Sequence, residues 1–101
     1  MDLPIKPIMP TDAEVERLDI LIEECAEVII AVSAIKRFGY ESKNPELLAV
    51  ACTNREALTR EMGDVMNAMN LVMDNGDVDP MAVIDRSAKK AVNIKKWLKH
   101  N

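Results

Sequence analysis

Histidine is almost missing from this chain; the single copy, His100, is the penultimate residue. That leaves no Ser-His-Asp set and no Glu-x-x-His pair of the kind that holds di-iron in helical bundles. Aromatic residues make up only 3%, so any core must be built from Ala, Val, Ile, Leu and Met. The two cysteines, Cys25 and Cys52, form no C-x-x-C pair and no zinc spacing. They read as reduced structural thiols of a cytosolic protein. There is no G-x-x-x-x-G-K-S/T phosphate loop and no nucleophile elbow. No apolar run approaches the roughly 20 residues of a membrane span. The opening MDLPIKPIMP is too short and too broken by proline for a signal peptide. The expectation is a soluble, cytoplasmic protein with no membrane partner.

What is present is a chain of 101 residues, 49% apolar, enough for one domain and too apolar for a disordered tail. A domain of this size buries only about 60–70% of its unfolded surface. Long helices would leave a monomer with wet apolar faces, so self-association is expected. The net charge of −4 is unevenly spread. From Arg86 onward there are six basic residues and no acidic ones, whereas residues 1–85 hold a balance of −10. An acidic body with a basic end does not suit a general nucleic-acid binder. It suits a small polyanion if cations cover the acidic side.

Residues 1–10 contain three prolines and read as an extended arm, with a single all-α domain over 11–101. Thr11-x-x-Glu14 is a capping box, and the helix it opens can run to about Phe38, where Gly39 stops it. Its main apolar stripe is Leu18, Leu21, Ile22, Cys25, Val28, Ile29 and Val32. A second stripe runs Ile20, Glu24, Glu27, Ala31, Ala34. Glu16, Asp19 and Glu23 are left for solvent. A helix apolar on two sides is expected to be covered from two sides. Asn44-Pro45 can open a short helix through about Val50. Thr53-x-x-Glu56 is a second capping box, for a helix ending near Asn75-Gly76. Its expected core stripe is Leu58, Met62, Val65, Met66, Met69, Val72 and Met73. Asp79-Pro80 gives an N-cap and a proline at the first helical position, for a last helix to about Lys99. The fold class is all-α: three substantial helices and one short one.

Two motifs carry the chemistry: Glu24-Cys-Ala-Glu27 and Glu61-Met-Gly-Asp64. Residues three apart share a helix face, so each motif aims two carboxylates the same way. A lone acid-x-x-acid is most often a solvated face. Here both lie partly in apolar stripes, where a bare carboxylate is costly. Both also have alanine a turn away: Ala31 and Ala34 near Glu27, Ala57 and Ala68 near Glu61 and Asp64. Small residues beside buried acids leave room for a ligand. Four carboxylates without His or Cys are hard oxygen donors, suited to Mg²⁺ with Mn²⁺ as a substitute.

These residues resemble the E-x-x-E…E-x-x-D signature of the MazG-like, all-α nucleoside triphosphate pyrophosphohydrolases. Arg37-Phe38-Gly39 and Thr53-Asn54-Arg55-Glu56 look like a subgroup met in phages and bacteria. The likeness covers about residues 15–97. The 33 residues between Glu27 and Glu61 exceed the spacing of compact members, a departure that bears on the base pocket. The resemblance implies a helical bundle assembled as a dimer or tetramer, with sites at subunit interfaces. It implies Mg²⁺-dependent cleavage of an NTP or dNTP to the monophosphate and pyrophosphate. Glu24, Glu27, Glu61 and Asp64 would be metal ligands and catalytic groups, with Glu27 the choice for activating water. The last helix is similar to the family's Lys-x-x-x-Asn stretch. Lys89, Asn93, Lys95 and Lys96 are therefore candidates for substrate contact, as is Arg37. Cations near a helix C-terminus also favour its dipole, which suffices for Lys99. For Trp97 and Phe38, packing is the expectation over stacking on a base. Asn67 and Asn70 are possible pocket polars.

Two other classes compete with the enzyme reading. One is a non-enzymatic helical adaptor whose acids form only a charged seam. It predicts that Glu61→Gln leaves the fold as stable or more so, with no response to Mg²⁺. The other is nucleic-acid binding through the Lys-rich last helix, which the acidic body argues against.

Overall fold

Thr11 caps the first helix as its spacing predicts. In the computed structural model, which describes residues 8–43 and 52–100, Thr11 Oγ1 accepts from the Glu14 amide at 3.2 Å. Glu14 Oε1 accepts from the Thr11 amide at 2.9 Å. Helix α1 then runs Asp12–Phe38, a rod of about 40 Å. It ends at Gly39, whose φ of 90° is open to glycine and strained for other residues. Thr53 repeats the capping box with Glu56 and opens α2, Asn54–Asp74. The return from α1 to α2 is tied by the Asn54 amide on Ser42 O and the Arg55 amide on Tyr40 O, both at 2.8 Å. The short helix expected from Asn44 to Val50 and most of the N-terminal arm lie outside the described residues.

At its far end α2 closes with a Schellman turn. The Asp77 amide donates to Val72 O and the Gly76 amide to Met73 O, with Gly76 at φ 76°. This turn aims Asp77 back at α1, where Arg17 binds it through two hydrogen bonds of 2.6 and 2.8 Å. Asp79 accepts from the Met81 amide and starts α3, Pro80–Asn93. The last helix is shorter than expected: α3 ends at Asn93, and a 3₁₀ turn, Ile94–Lys96, follows. Among the described residues no other helix packs closely on this end, and isolated helix ends fray without tertiary contacts. All regular helical and extended structure among the described residues is helix, apart from one isolated bridge between Lys43 and Thr53.

Helices α1 and α2 lie antiparallel along each other and hold nearly all of the tertiary packing. Their seam is made of small residues: Ala68 is fully buried, with Ala31 and Val72 close behind. Small side chains let helix axes approach closely. The stripe of α1 that α2 covers is the one bearing Glu24, Glu27, Ala31 and Ala34. The richer apolar stripe stays open, with Ile22 and Ile29 each 68% exposed. On α2, Met62 and Met66 are likewise exposed rather than core. Trp97 and Phe38, expected to pack, are also exposed. Between α2 and α3 lies an apolar groove of 470 Å³ bordered by Met66, Met69, Met73, Val83, Ile84 and Asn70.

Candidate metal centre

The antiparallel pairing brings the two acidic motifs to one level. Glu24 and Glu27 stand on the α1 stripe that faces α2, and Glu61 and Asp64 meet them from α2. One carboxylate oxygen from each of the four lies within 4.8 Å of those of the others. Glu24, Glu27 and Glu61 are half-buried and Asp64 is exposed, so the cluster has a wet side.

The electrostatics are unfavourable for the bare protein. Glu61 is raised from 4.5 to about 7. The largest cause is its hydrogen bond with Glu27, followed by burial and by the charges of Glu27, Asp64 and Glu24. Glu24 is raised first by burial, then by Glu27, Asp64 and Glu23. Glu24 Oε2 and Glu61 Oε2 are both buried with no hydrogen-bond partner. Buried oxygens without a donor are rare in folded proteins. Four oxygen donors, two of them orphaned, fit a hard divalent cation such as Mg²⁺ or Mn²⁺.

Beside the cluster a cavity of 170 Å³ is bordered by Glu27 and Glu61 at one end and by Ala31, Ala34, Ala57 and Asn54 beyond. Three of the four alanines singled out from the sequence therefore border open space, and the fourth, Ala68, forms the helix seam.

The residue 5–91 segment matches the family model described as phosphoribosyl-ATP pyrophosphohydrolase. The chain belongs to that family. The family sits within the MazG-like all-α nucleoside triphosphate pyrophosphohydrolase superfamily. Its members are hydrolases acting on acid anhydrides, so membership weighs against the adaptor reading. No curated protein and no solved structure matched the chain.

The basic candidates are not gathered with the acids. Lys89 pairs with Asp85 at 3.1 Å on the exposed face of α3. Asn93 ends that helix, and Lys95 and Lys96 lie in the exposed 3₁₀ turn. Arg37 stacks on the Phe38 ring at 5.2 Å. Among the described residues, no hydrogen bond or ion pair joins any of these five to the four carboxylates. Asn70 borders the α2–α3 groove instead, and Asn67 is exposed. Sequence reading passed over Asn54 as a site residue, although it is buried at the cavity wall. Its signal was spacing: Asn54 precedes Glu61 by seven residues, two turns along one helix face.

Proposed function

We propose that the chain hydrolyses a nucleoside triphosphate, ribo- or deoxyribo-, to the monophosphate and pyrophosphate with Mg²⁺ as cofactor. The observation that carries this reading is the convergence of Glu24, Glu27, Glu61 and Asp64, with two buried oxygens unpartnered, in a chain of a pyrophosphohydrolase family. The four carboxylates would hold the divalent cation, which supplies charge neutralisation at phosphorus and a more acidic water. Glu27, clustered with Glu61 and the other two acids, is suited to orient the attacking water and take its proton. The water oxygen bonds to the α-phosphorus in line, the bond from that phosphorus to the α,β-bridging oxygen breaks, and the electron pair leaves with pyrophosphate.

Self-association completes the proposal. The exposed Ile22 and Ile29 of α1 and Met62 and Met66 of α2 form faces that a dimer or tetramer of this chain would cover. In such an assembly Lys89, Asn93, Lys95, Lys96 and Arg37 are the groups available for substrate phosphates and sugar, from whichever copy lies against the acidic face. The family's own name makes phosphoribosyl-ATP one member of the substrate class to test.

The test is product analysis by ³¹P NMR with Mg²⁺ and a panel of NTPs, dNTPs and phosphoribosyl-ATP. Monophosphate-level product plus pyrophosphate, lost in Glu61→Gln, is the expected result. Diphosphate plus orthophosphate would overturn attack at the α-phosphorus. No turnover of any member would overturn the substrate class.

A further inference from the structure

Only Gly76, Asp77 and Val78 separate the cap of α2 at Asn75 from the cap of α3 at Asp79. Helix α3 itself buries no residue. Among the described residues, no hydrogen bond or ion pair joins it to α1 or α2. Its apolar side faces open space instead. One part is the 470 Å³ groove along α2. The other is a cavity of 180 Å³ bordered by Leu21 of α1, Val72 of α2, Val78 and Val83. A helix with so few close neighbours takes its direction from its connection.

One contact fixes that connection. Arg17 holds Asp77 through both arms of its guanidinium, Nε to Oδ2 at 2.6 Å and Nη2 to Oδ1 at 2.8 Å. The two side chains are 19% and 10% exposed, against 59% and 71% for the Arg55–Glu41 pair. Well-exposed pairs hold little, whereas two parallel bonds shielded from water fix both distance and plane. Arg17 precedes Glu24 by seven residues, which puts both on the stripe of α1 that meets α2. The level of Arg17 is two turns, or about 10 Å, from the acids. The Asp77 amide is tied to α2 as well, donating to Val72 O at 3.1 Å. Asp77 thus joins the end of α2, the face of α1 and the link to α3. The seam of Ala31, Ala68 and Val72 already joins α1 to α2; what it does not hold is α3.

We infer, on the reading of Lys89 and Asn93 as substrate contacts, that Arg17 and Asp77 are positioning residues: their two-pronged bond sets the angle at which α3 leaves the helical hairpin, and so where Lys89 and Asn93 meet substrate. Neither residue takes part in the chemistry at phosphorus. The planar fork of Arg17 is what aims the link, and a cation of another shape would not replace it.

The experiment uses two conservative variants of the full chain, Asp77→Asn and Arg17→Lys. The first keeps the shape and removes the charge; the second keeps the charge and removes the fork. Residual dipolar couplings of the backbone amides report the direction of α3 relative to α1 and α2. In wild type they should fit one orientation of all three helices. In both variants the couplings of α3 should depart from that fit while those of α1 and α2 keep it. The KM for the best nucleoside triphosphate should rise about tenfold or more, with kcat changed by less than about threefold and Mg²⁺ affinity as in wild type. A lowered melting temperature with KM and the α3 couplings unchanged would leave the pair a structural brace and overturn the inference. A reoriented α3 with unchanged KM would overturn it too. Wild-type couplings that fit no single direction of α3 would do so without any variant. A wild type that turns over no nucleotide would instead sink the pyrophosphohydrolase reading, and the couplings alone would then decide whether the pair aims α3.

Discussion

At Glu61 a carboxyl group is half-buried among three others, and burial and neighbouring charge act in the same direction. The folded value of about 7 lies above the 4.5 regained on unfolding. The metal-free fold is therefore favoured by protonated Glu61, a contribution complete below about pH 4.5 and lost as pH rises through about 7. Glu24 is shifted the same way. Asp77 is lowered by its hydrogen bonds from Arg17, so its contribution is lost only as pH falls through that lower value, outside the Glu61 window. Thermal melts in EDTA should therefore show the melting temperature falling from about pH 5 to about pH 8, with a flatter slope in Glu61→Gln. A melting temperature that rises over that range would contradict the electrostatics described here.

At the scale of elements, each helix start depends on a few local atoms. Thr53→Ala removes the acceptor for the Glu56 amide at 3.1 Å and should cost about 1 kcal/mol. Chemical denaturation of the Mg²⁺-free protein measures this; an unchanged midpoint would mean that α2 does not depend on its cap. Such local devices explain which elements were legible in the sequence. The Thr11 and Thr53 boxes, Gly39, the Asn75-Gly76 stop and Asp79-Pro80 all act within one turn, and all are found. The acids of α1 and α2 were legible for the same reason, since i and i+3 fix a shared face. Other features depended on what each helix meets. Two stripes of α1 were apolar enough to pack, and α2 takes the one with the alanines because small residues permit the closer seam. The end of α3 falls earlier than the sequence predicts because, among the described residues, no other helix packs closely on Ile94 to Leu98 to hold them helical. Asn54 was hidden because an asparagine at a helix start usually serves the backbone. Here its Nδ2 donates to Ala34 O and Gly39 O, and the residue also borders the cavity.

The whole molecule is extended for its length. Its radius of gyration is 18.3 Å, against about 13 Å for a compact domain of 100 residues. The accessible area of 8808 Å² exceeds the roughly 5,700 Å² expected of a folded monomer of this mass. Among the described residues no helix is long and apolar enough to cross a membrane; the proposed self-association would cover the open faces of α1 and α2 with copies of the same chain. Sedimentation should give a multiple of 11.3 kDa, and Met66→Glu, placed in the α2–α3 groove, should shift it toward the monomer. A wild-type monomer at micromolar concentration would contradict that assignment. The account as a whole turns on whether the four acids bind a divalent cation, and calorimetric titration of Mg²⁺ into wild type and Glu61→Gln tests this most directly. The account predicts saturable binding by wild type that weakens about tenfold or more in the variant. Equal binding by both, or none by wild type, would contradict it.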